Sequence, residues 1–511
     1  MHVRWTVVLI GWLAGLGTLL SNHYVPAPLD ELILTGKNYL YHANFHQARE
    51  TFLTIQQQYP DYPHGYFYSA YMTLLVYSQN LSNDSLRKAL EEQISFARTV
   101  ASAFRKKNGN NPDAIFHQGL TYGLKGVMHL LDRSYLKAYW FGRKAIRYLE
   151  QVAQLDSDYN DAYLGLGLFH YYVDLLPRIL RFVVHILGFE GDRLLGKQEL
   201  QRAVYGGHYF RQEARLMYIL FTYFMEGETQ QSMAELKRMA ADFPKNPIPQ
   251  LLLGYHHRRT GKLKQALEIF AKTPEIYPDL LPQMINVKYY NLAAIHFEMN
   301  RFDAADSLLD YLIGLPTRKS IYYQAAIHFY KGLIADLRMD RKTAEWHYAK
   351  IPRHKQSKYW HNAVQMFRKY PMDSLMKQYI MARNFYLGLQ FAESLQRVEK
   401  VLAHLNAGAS STHPDLPYLV RDLQAADYFF LGKPQKALEL YAALIPQLSH
   451  MEDTVRKSWI YIRYARVLYS SGRFEEAARM LDRANEVDDD YTHLIVKREE
   501  IIMNRKQAQR K

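Results

Sequence analysis

Six stretches of this chain repeat one spacing: a small residue, a second position three residues on, an alanine at twelve, and an aromatic residue or leucine at sixteen. Gly36, Tyr39, Ala48 and Phe52 fit it, closed by Pro60, as do Gly254, His257, Ala266 and Phe270, closed by Pro278. Ala293, His296, Ala305 and Leu309 follow, with Pro316 near the close, then Gly332, Ala335, Ala344 and Tyr348, with Pro352. Ala425, Tyr428, Ala437 and Tyr441 form a fifth unit, and Ala465, Leu468, Ala477 and Leu481 a sixth. The small residue on a first helix and the alanine on a second let two backbones approach. The bulky residue at sixteen then fills the space against the next unit. Such units cannot bury an apolar face alone, so they stack into an array in which each stabilises its neighbour.

This is the tetratricopeptide pattern of paired antiparallel helices. The predicted fold class is therefore all-α: a tetratricopeptide-type α-solenoid over residues 29–490, with a central helical segment that departs from the pattern. Gly254, Ala293 and Gly332 step by 39 residues instead of the usual 34 or so, which lengthens helices or linkers. Asn300, Gly472, Gly261 and Gly432 stand where the turn inside a pair belongs, glycine supplying the helix-ending conformation. Residues 66–163 read as long helices without the repeat spacing, and the small-residue loop 407–417 is expected to set the last repeats apart. Tyrosine is abundant, with 41 in 511 residues, and suits seams that are apolar along the ring and wet at the hydroxyl.

The most distinctive stretch is the central segment, residues 164–220. A Leu-Gly-Leu-Gly-Leu-Phe-His-Tyr-Tyr-Val-Asp run leads into Pro177, an apolar helix over residues 178–189, and then Gly-Phe-Glu-Gly-Asp-Arg-Leu-Leu-Gly. Asp174, Pro177, Arg178, Gly188, Gly191, Asp192, Arg193 and Gly196 mark it. On these residues the chain resembles a group of exported bacterial tetratricopeptide proteins and, more distantly, the eukaryotic tetratricopeptide-repeat-39 and inclusion-body-clearance family. The resemblance implies a scaffold and supplies no catalytic residue. Physically, Pro177 starts a helix, Asp192 is a good helix N-cap, and Arg193 meets either an anion or a carboxylate, with Asp174 pairing either Arg178 or Arg193. The apolar helix is either buried or lies on a membrane or partner surface.

At the N-terminus, Arg4 precedes an apolar run from Thr6 to Leu20, which breaks at Ser21. Residues 1–21 read as a signal peptide or, if retained, an anchor, which implies an exported protein, periplasmic or in the cell envelope if bacterial. There are no cysteines, so disulfides, thiolate metal sites and cysteine nucleophiles are excluded. The net charge of +14 is diffuse, densest in residues 491–511, read as a basic tail. No aromatic-interleaved basic motif or zinc knuckle points to nucleic acid.

Sought chemistry is sparse. His42, His46 and Glu50 are spaced four apart but straddle the first intra-repeat turn, and no metal or cofactor site is assigned. Phosphate loops and nucleophile elbows are lacking. The positions flanking each small residue, Leu251 and Tyr255, Tyr290, Phe329 and Leu333, are the candidate groove. They lack the lysines and asparagines with which such domains clamp peptide C-termini, so they either line an apolar groove or pack internally. The functional expectation is a non-catalytic exported scaffold binding a protein or peptide. The alternative is a membrane-surface protein in envelope or lipid handling.

Overall fold

The computed structural model describes residues 24–510 apart from residues 82, 176–190, 228, 277–279 and 316–318. Among these residues the structure is helical throughout, without a strand. Residues 1–21, Pro177, Arg178 and Gly188 lie outside the described residues. The chain forms two compact units, residues 1–215 and 216–511.

The first unit contains α1 (Ala27–Tyr41), α2 (Phe45–Gln58), α3 (His64–Gln79), α4 (Asp84–Asn108), α5 (Pro112–Leu131), α6 (Tyr135–Leu155), α7 (Ala162–Leu175) and α8 (Arg193–Gly206). The unit boundary falls within α9 (Arg211–Leu220). The second unit continues with a π-helical turn (Phe221–Met225), α10 (Thr229–Asp242), α11 (Pro247–Arg259), α12 (Leu263–Lys272), α13 (Pro282–Glu298) and α14 (Phe302–Gly314). Then come α15 (Ile321–Leu337), α16 (Arg341–Ala349), α17 (Lys358–Lys369), α18 (Ser374–Leu387) and α19 (Phe391–Asn406). It ends with α20 (Leu416–Phe430), α21 (Pro434–Leu444), α22 (Thr454–Ser470), α23 (Phe474–Ala484) and α24 (Asp490–Ala508).

The repeat spacing acts as expected, with an addition. A Cβ on Gly36 would stand 2.5 Å from the Phe52 ring, and one on Gly254 2.9 Å from the Phe270 ring. The small residue therefore seats the aromatic of its own pair. The same rings reach onward: Phe52 stacks on Tyr68 at 5.4 Å and Tyr441 lies 5.1 Å from Tyr464.

Each pair turns by one device. The residue seven after the small position is left-handed, at Ala43, Gly261, Asn300, Met339, Gly432 and Gly472. The next N–H then bonds the carbonyl five residues back, as in Asn44 N–H to Tyr39 O and Arg301 N–H to His296 O. This is the Schellman closure, which satisfies carbonyls a helix end leaves open.

The same turn occurs at Arg133 and Leu389, where the sequence reading found no repeat. Counting back seven residues gives Gly126 and Ala382. The Gly126 pair has Ala138 at twelve but Gly142 at sixteen, and backbone meets backbone there: a Cβ on Gly126 would lie 3.2 Å from the Gly142 nitrogen. The Ala382 pair has Ser394 and Val398 in those positions. Residues 66–163 thus hold a repeat after all, disguised by a glycine where a ring was expected.

Two further expectations are corrected. Residues 491–511 are not a free tail: α24 buries Val496, Glu499, Ile501 and Met503. The loop at 407–417 does not set the last repeats apart, because Ser411 and Thr412 bond Asp373 and Asp415 accepts the Glu452 and Asp453 N–H groups. One continuous core runs from Tyr290 to Met503 across it.

Candidate functional site

The central segment is a helix pair with its turn replaced. Gly167 on α7 and Gly196 on α8 cross with backbones touching: a Cβ on either would come within 2.8 Å of the other's carbonyl oxygen. Leu200 lies where the residue at sixteen sits in other pairs, 2.9 Å from the same Gly167 position. Gly196 stands 29 residues after Gly167 where the pattern has twelve, so this is a repeat carrying seventeen extra residues.

Gly191 closes the insertion against α7, since a Cβ there would sit 2.7 Å from the Val173 carbonyl carbon. Asp192 caps α8, its carboxylate accepting from Leu194 and Leu195 N–H at 2.9 Å. Arg193 Nε stands 3.7 Å from Asp174 Oδ2. His170 Nδ1 meets Glu199 at 2.6 Å, and that carboxylate raises the imidazole above its ordinary value. The described residues of the signature therefore hold α7 to α8.

Of the five groove candidates, Leu251, Tyr290, Phe329 and Leu333 are buried and Tyr255 is half-buried. Tyr290 packs edge-on against Tyr323 at 5.3 Å, Phe329 lies 5.1 Å from Trp360, and Tyr255 lies 5.4 Å from Phe224. The first four spend their surface on neighbouring helices, which leaves little for a partner. Half-buried tyrosines beside them, Tyr322, Tyr323, Tyr330 and Tyr359, complete this aromatic layer.

Arginines face the same layer. Arg258 forks onto Glu298 at 2.6 and 3.0 Å and reaches Asn291 at 2.8 Å. Arg463 takes Asp422 at 2.5 and 2.9 Å, Arg466 takes Glu499 at 2.7 Å, and Arg456 pairs with Asp453. All four carboxylates are buried, and such forked, charge-assisted bonds fix geometry as well as adding energy. Arg383 on α18 differs. It is half-exposed and, among the described residues, has no hydrogen bond or ion pair. Burial pushes the Tyr330, Tyr359 and Tyr379 phenols up, and the positive field of Arg383 opposes that in each.

Sequence reasoning missed Arg383 and Arg466, although the signal for these two was present. The groove positions lie three before and one after the small residue. The same register around Ala382, Ala425 and Ala465 gives Tyr379, Arg383, Asp422 and Arg466.

The model of the Iml2/Tetratricopeptide repeat protein 39 family matches residues 154–384, and the Tetratricopeptide repeat model matches residues 458–483. The chain has a tetratricopeptide-type fold and resembles the Iml2 family. The first match contains the whole α7–α8 pair with its insertion. Among solved structures the chain is similar to yeast Tom70 (13% identity, TM-score 0.29, covering 92% of this chain and 87% of that one). It is also similar to the P58(IPK) TPR domain (12%, 0.22, 84% and 98%) and to a tetratricopeptide repeat protein from Parabacteroides merdae ATCC 43184 (16%, 0.21, 59% and 98%). Likenesses at this level carry nothing about function.

Proposed function

We propose that this chain is a non-catalytic, exported scaffold whose second unit binds an acidic segment of a partner protein at the arginine and tyrosine layer around Arg383. The observation that carries this is the contrast among the arginines. Arg258, Arg456, Arg463 and Arg466 are each neutralised by a buried carboxylate, whereas Arg383 keeps its donors free beside tyrosine rings. A guanidinium so placed offers forked hydrogen bonds to a carboxylate, and the rings offer apolar surface at low entropic cost. Anisotropy titrations of the full chain with labelled Glu/Asp-rich and Lys-rich peptides test it. The acidic peptide should bind with salt-sensitive affinity, and Arg383→Ala should weaken binding by about tenfold or more, the range for losing a charge-assisted bond. Equal binding of both peptides, or an Arg383→Ala variant that binds as well as the parent, would overturn the reading. Export through residues 1–21 belongs to the same proposal, and N-terminal sequencing of the mature protein after fractionation checks it.

A second reading, a protein that rests on a membrane surface, is favoured by one feature. At the tip of the α5–α6 hairpin, Leu130, Tyr135, Leu136 and Trp140 are exposed, interleaved with exposed Arg133 and Lys137. An aromatic and apolar tip with basic flanks suits the interface of an anionic bilayer. No helix among the described residues is long and apolar enough to cross a membrane. Co-sedimentation with phosphatidylglycerol vesicles, lost in Leu136→Ser/Trp140→Ser and absent with phosphatidylcholine, would establish this reading over the first.

A further inference from the structure

The interior of the first unit holds a cluster that packing does not explain. His64 is the first residue of α3. Asp113 and His117 lie one turn apart at the start of α5, so both face the same side. All three are buried, at 0%, 1% and 0% exposure. His64 Nε2 lies 3.3 Å from Asp113 Oδ2, and the two imidazole rings are 3.9 Å apart. His117 Nδ1 bonds the Asp113 backbone oxygen at 3.1 Å, and the Tyr159 hydroxyl donates to Asp113 Oδ1 at 2.8 Å. What remains is unsatisfied: both nitrogens of His64, Oδ2 of Asp113 and Nε2 of His117. Each buried polar atom left this way costs about 1–3 kcal/mol.

We propose that His64, Asp113 and His117 bind one divalent transition-metal ion of the zinc class. One ligand atom from each residue lies within 4.8 Å of those of the other two. A tetrahedral ion with bonds of about 2.0–2.1 Å holds its ligands about 3.3 Å apart, the separation His64 and Asp113 already have. Two imidazoles and a carboxylate are a ligand set such ions favour. The outer partners are also in place. The Nδ1 bond to a backbone oxygen leaves His117 Nε2 as the lone-pair donor, and Tyr159 orients the carboxylate, the arrangement that commonly supports ligating histidines and carboxylates. Binding parts the two tilted rings and satisfies one orphaned atom on each of the three residues.

The surroundings favour a cation. Asp30 and Asp161 are buried nearby, the first taken up by Tyr209 and His208 and the second by the Tyr209 and Phe210 N–H groups. A proton is the competing occupant. The three residues fill three positions of a tetrahedral ion and leave the fourth to a water; the ion ties the starts of α3 and α5.

The test uses the full chain, unfolded in denaturant with chelator, then refolded with or without Zn2+ or Co2+ and desalted. Elemental analysis should find about one ion per chain, with a raised Tm and, for Co2+, the visible absorption of a tetrahedral site. His64→Gln and Asp113→Asn should abolish the stoichiometric ion. Tyr159→Phe keeps all three ligands and should weaken affinity ten- to a hundredfold, the usual effect of an outer partner, so it stays informative where a ligand variant fails to fold. Substoichiometric metal with an unchanged Tm would overturn the proposal and leave the proton as occupant. So would stoichiometric metal retained by folded His64→Gln.

Discussion

Asp427 sits among helices that give it little. Its side chain is fully buried on α20, one oxygen accepts from Ser394 Oγ at 2.7 Å, and the other has no partner. Burial, aided by the negative field of Asp422, pushes the carboxyl up to about 8. An unfolded aspartate releases its proton near 4. Between roughly pH 4 and 8 the folded chain therefore keeps a proton that the unfolded chain has lost, and stability falls as pH rises through that window. The slope approaches one proton, about 1.4 kcal/mol per pH unit, and vanishes above the folded value. Asp427→Asn should raise Tm at pH 7–8, leave it nearly unchanged near pH 4, and flatten the profile between. Parallel profiles for parent and variant would show that the carboxyl is ionised in the fold. The sequence offered no hint of this residue, because its state is set by burial among helices distant in the chain, its one hydrogen-bond partner, Ser394, lying 33 positions away. The Asp192 cap was legible, because an N-cap and the amides it accepts from lie within three residues.

At the scale of the helix pair, what decided legibility was whether the repeat's packing was made by the usual residue types. Pairs with a ring or leucine over a small residue were readable. Those at Gly126 and Ala382 were not, since Gly142 replaces a ring by close backbone contact and Ser394 replaces alanine to bond the next repeat. The backbone turn is the more constant signature, yet its left-handed residue is glycine in some pairs and Ala43, Arg133, Asn300, Met339 or Leu389 in others. A non-glycine residue held there costs about 1–2 kcal/mol. Met339, at φ 62° and 60% exposed, makes little packing contact to set against that cost. Met339→Gly should therefore stabilise the chain by about 1 kcal/mol, read as a higher denaturant midpoint at constant slope. A lower midpoint would mean that the extra freedom of glycine in the unfolded chain outweighs the relief.

Across the second unit the ends meet, which a linear reading of repeats does not convey. α24 returns to the π-helical turn that opens the unit: Arg498 Nε donates to Phe224 O at 2.7 Å, and Ile502 lies 3.2 Å from where a Cβ on Gly227 would stand. Its Glu499, buried to 1%, accepts from Arg466 and from Tyr469 on α22 at 2.7 and 2.8 Å. The basic composition of residues 491–511 hid this role, because the buried positions are a minority and most of the segment's lysines and arginines, such as Lys497, Arg498, Arg505 and Lys506, are themselves partly covered. Truncation before Asp490 should remove more than a terminal repeat. It strips Arg466 and Tyr469 of the Glu499 carboxylate and removes Arg498 from the Phe224 carbonyl in the turn at Phe221–Met225. A buried charge that loses its partner costs about 3–5 kcal/mol, and the exposed apolar surface adds to that. The truncated chain should show a markedly lower Tm and self-association by size-exclusion chromatography. Glu499→Gln, which keeps shape and loses charge, should give an intermediate Tm without self-association, separating the ion pair from the covered surface. A monomeric truncation with the parent's Tm would show that α24 rests on a unit already complete without it.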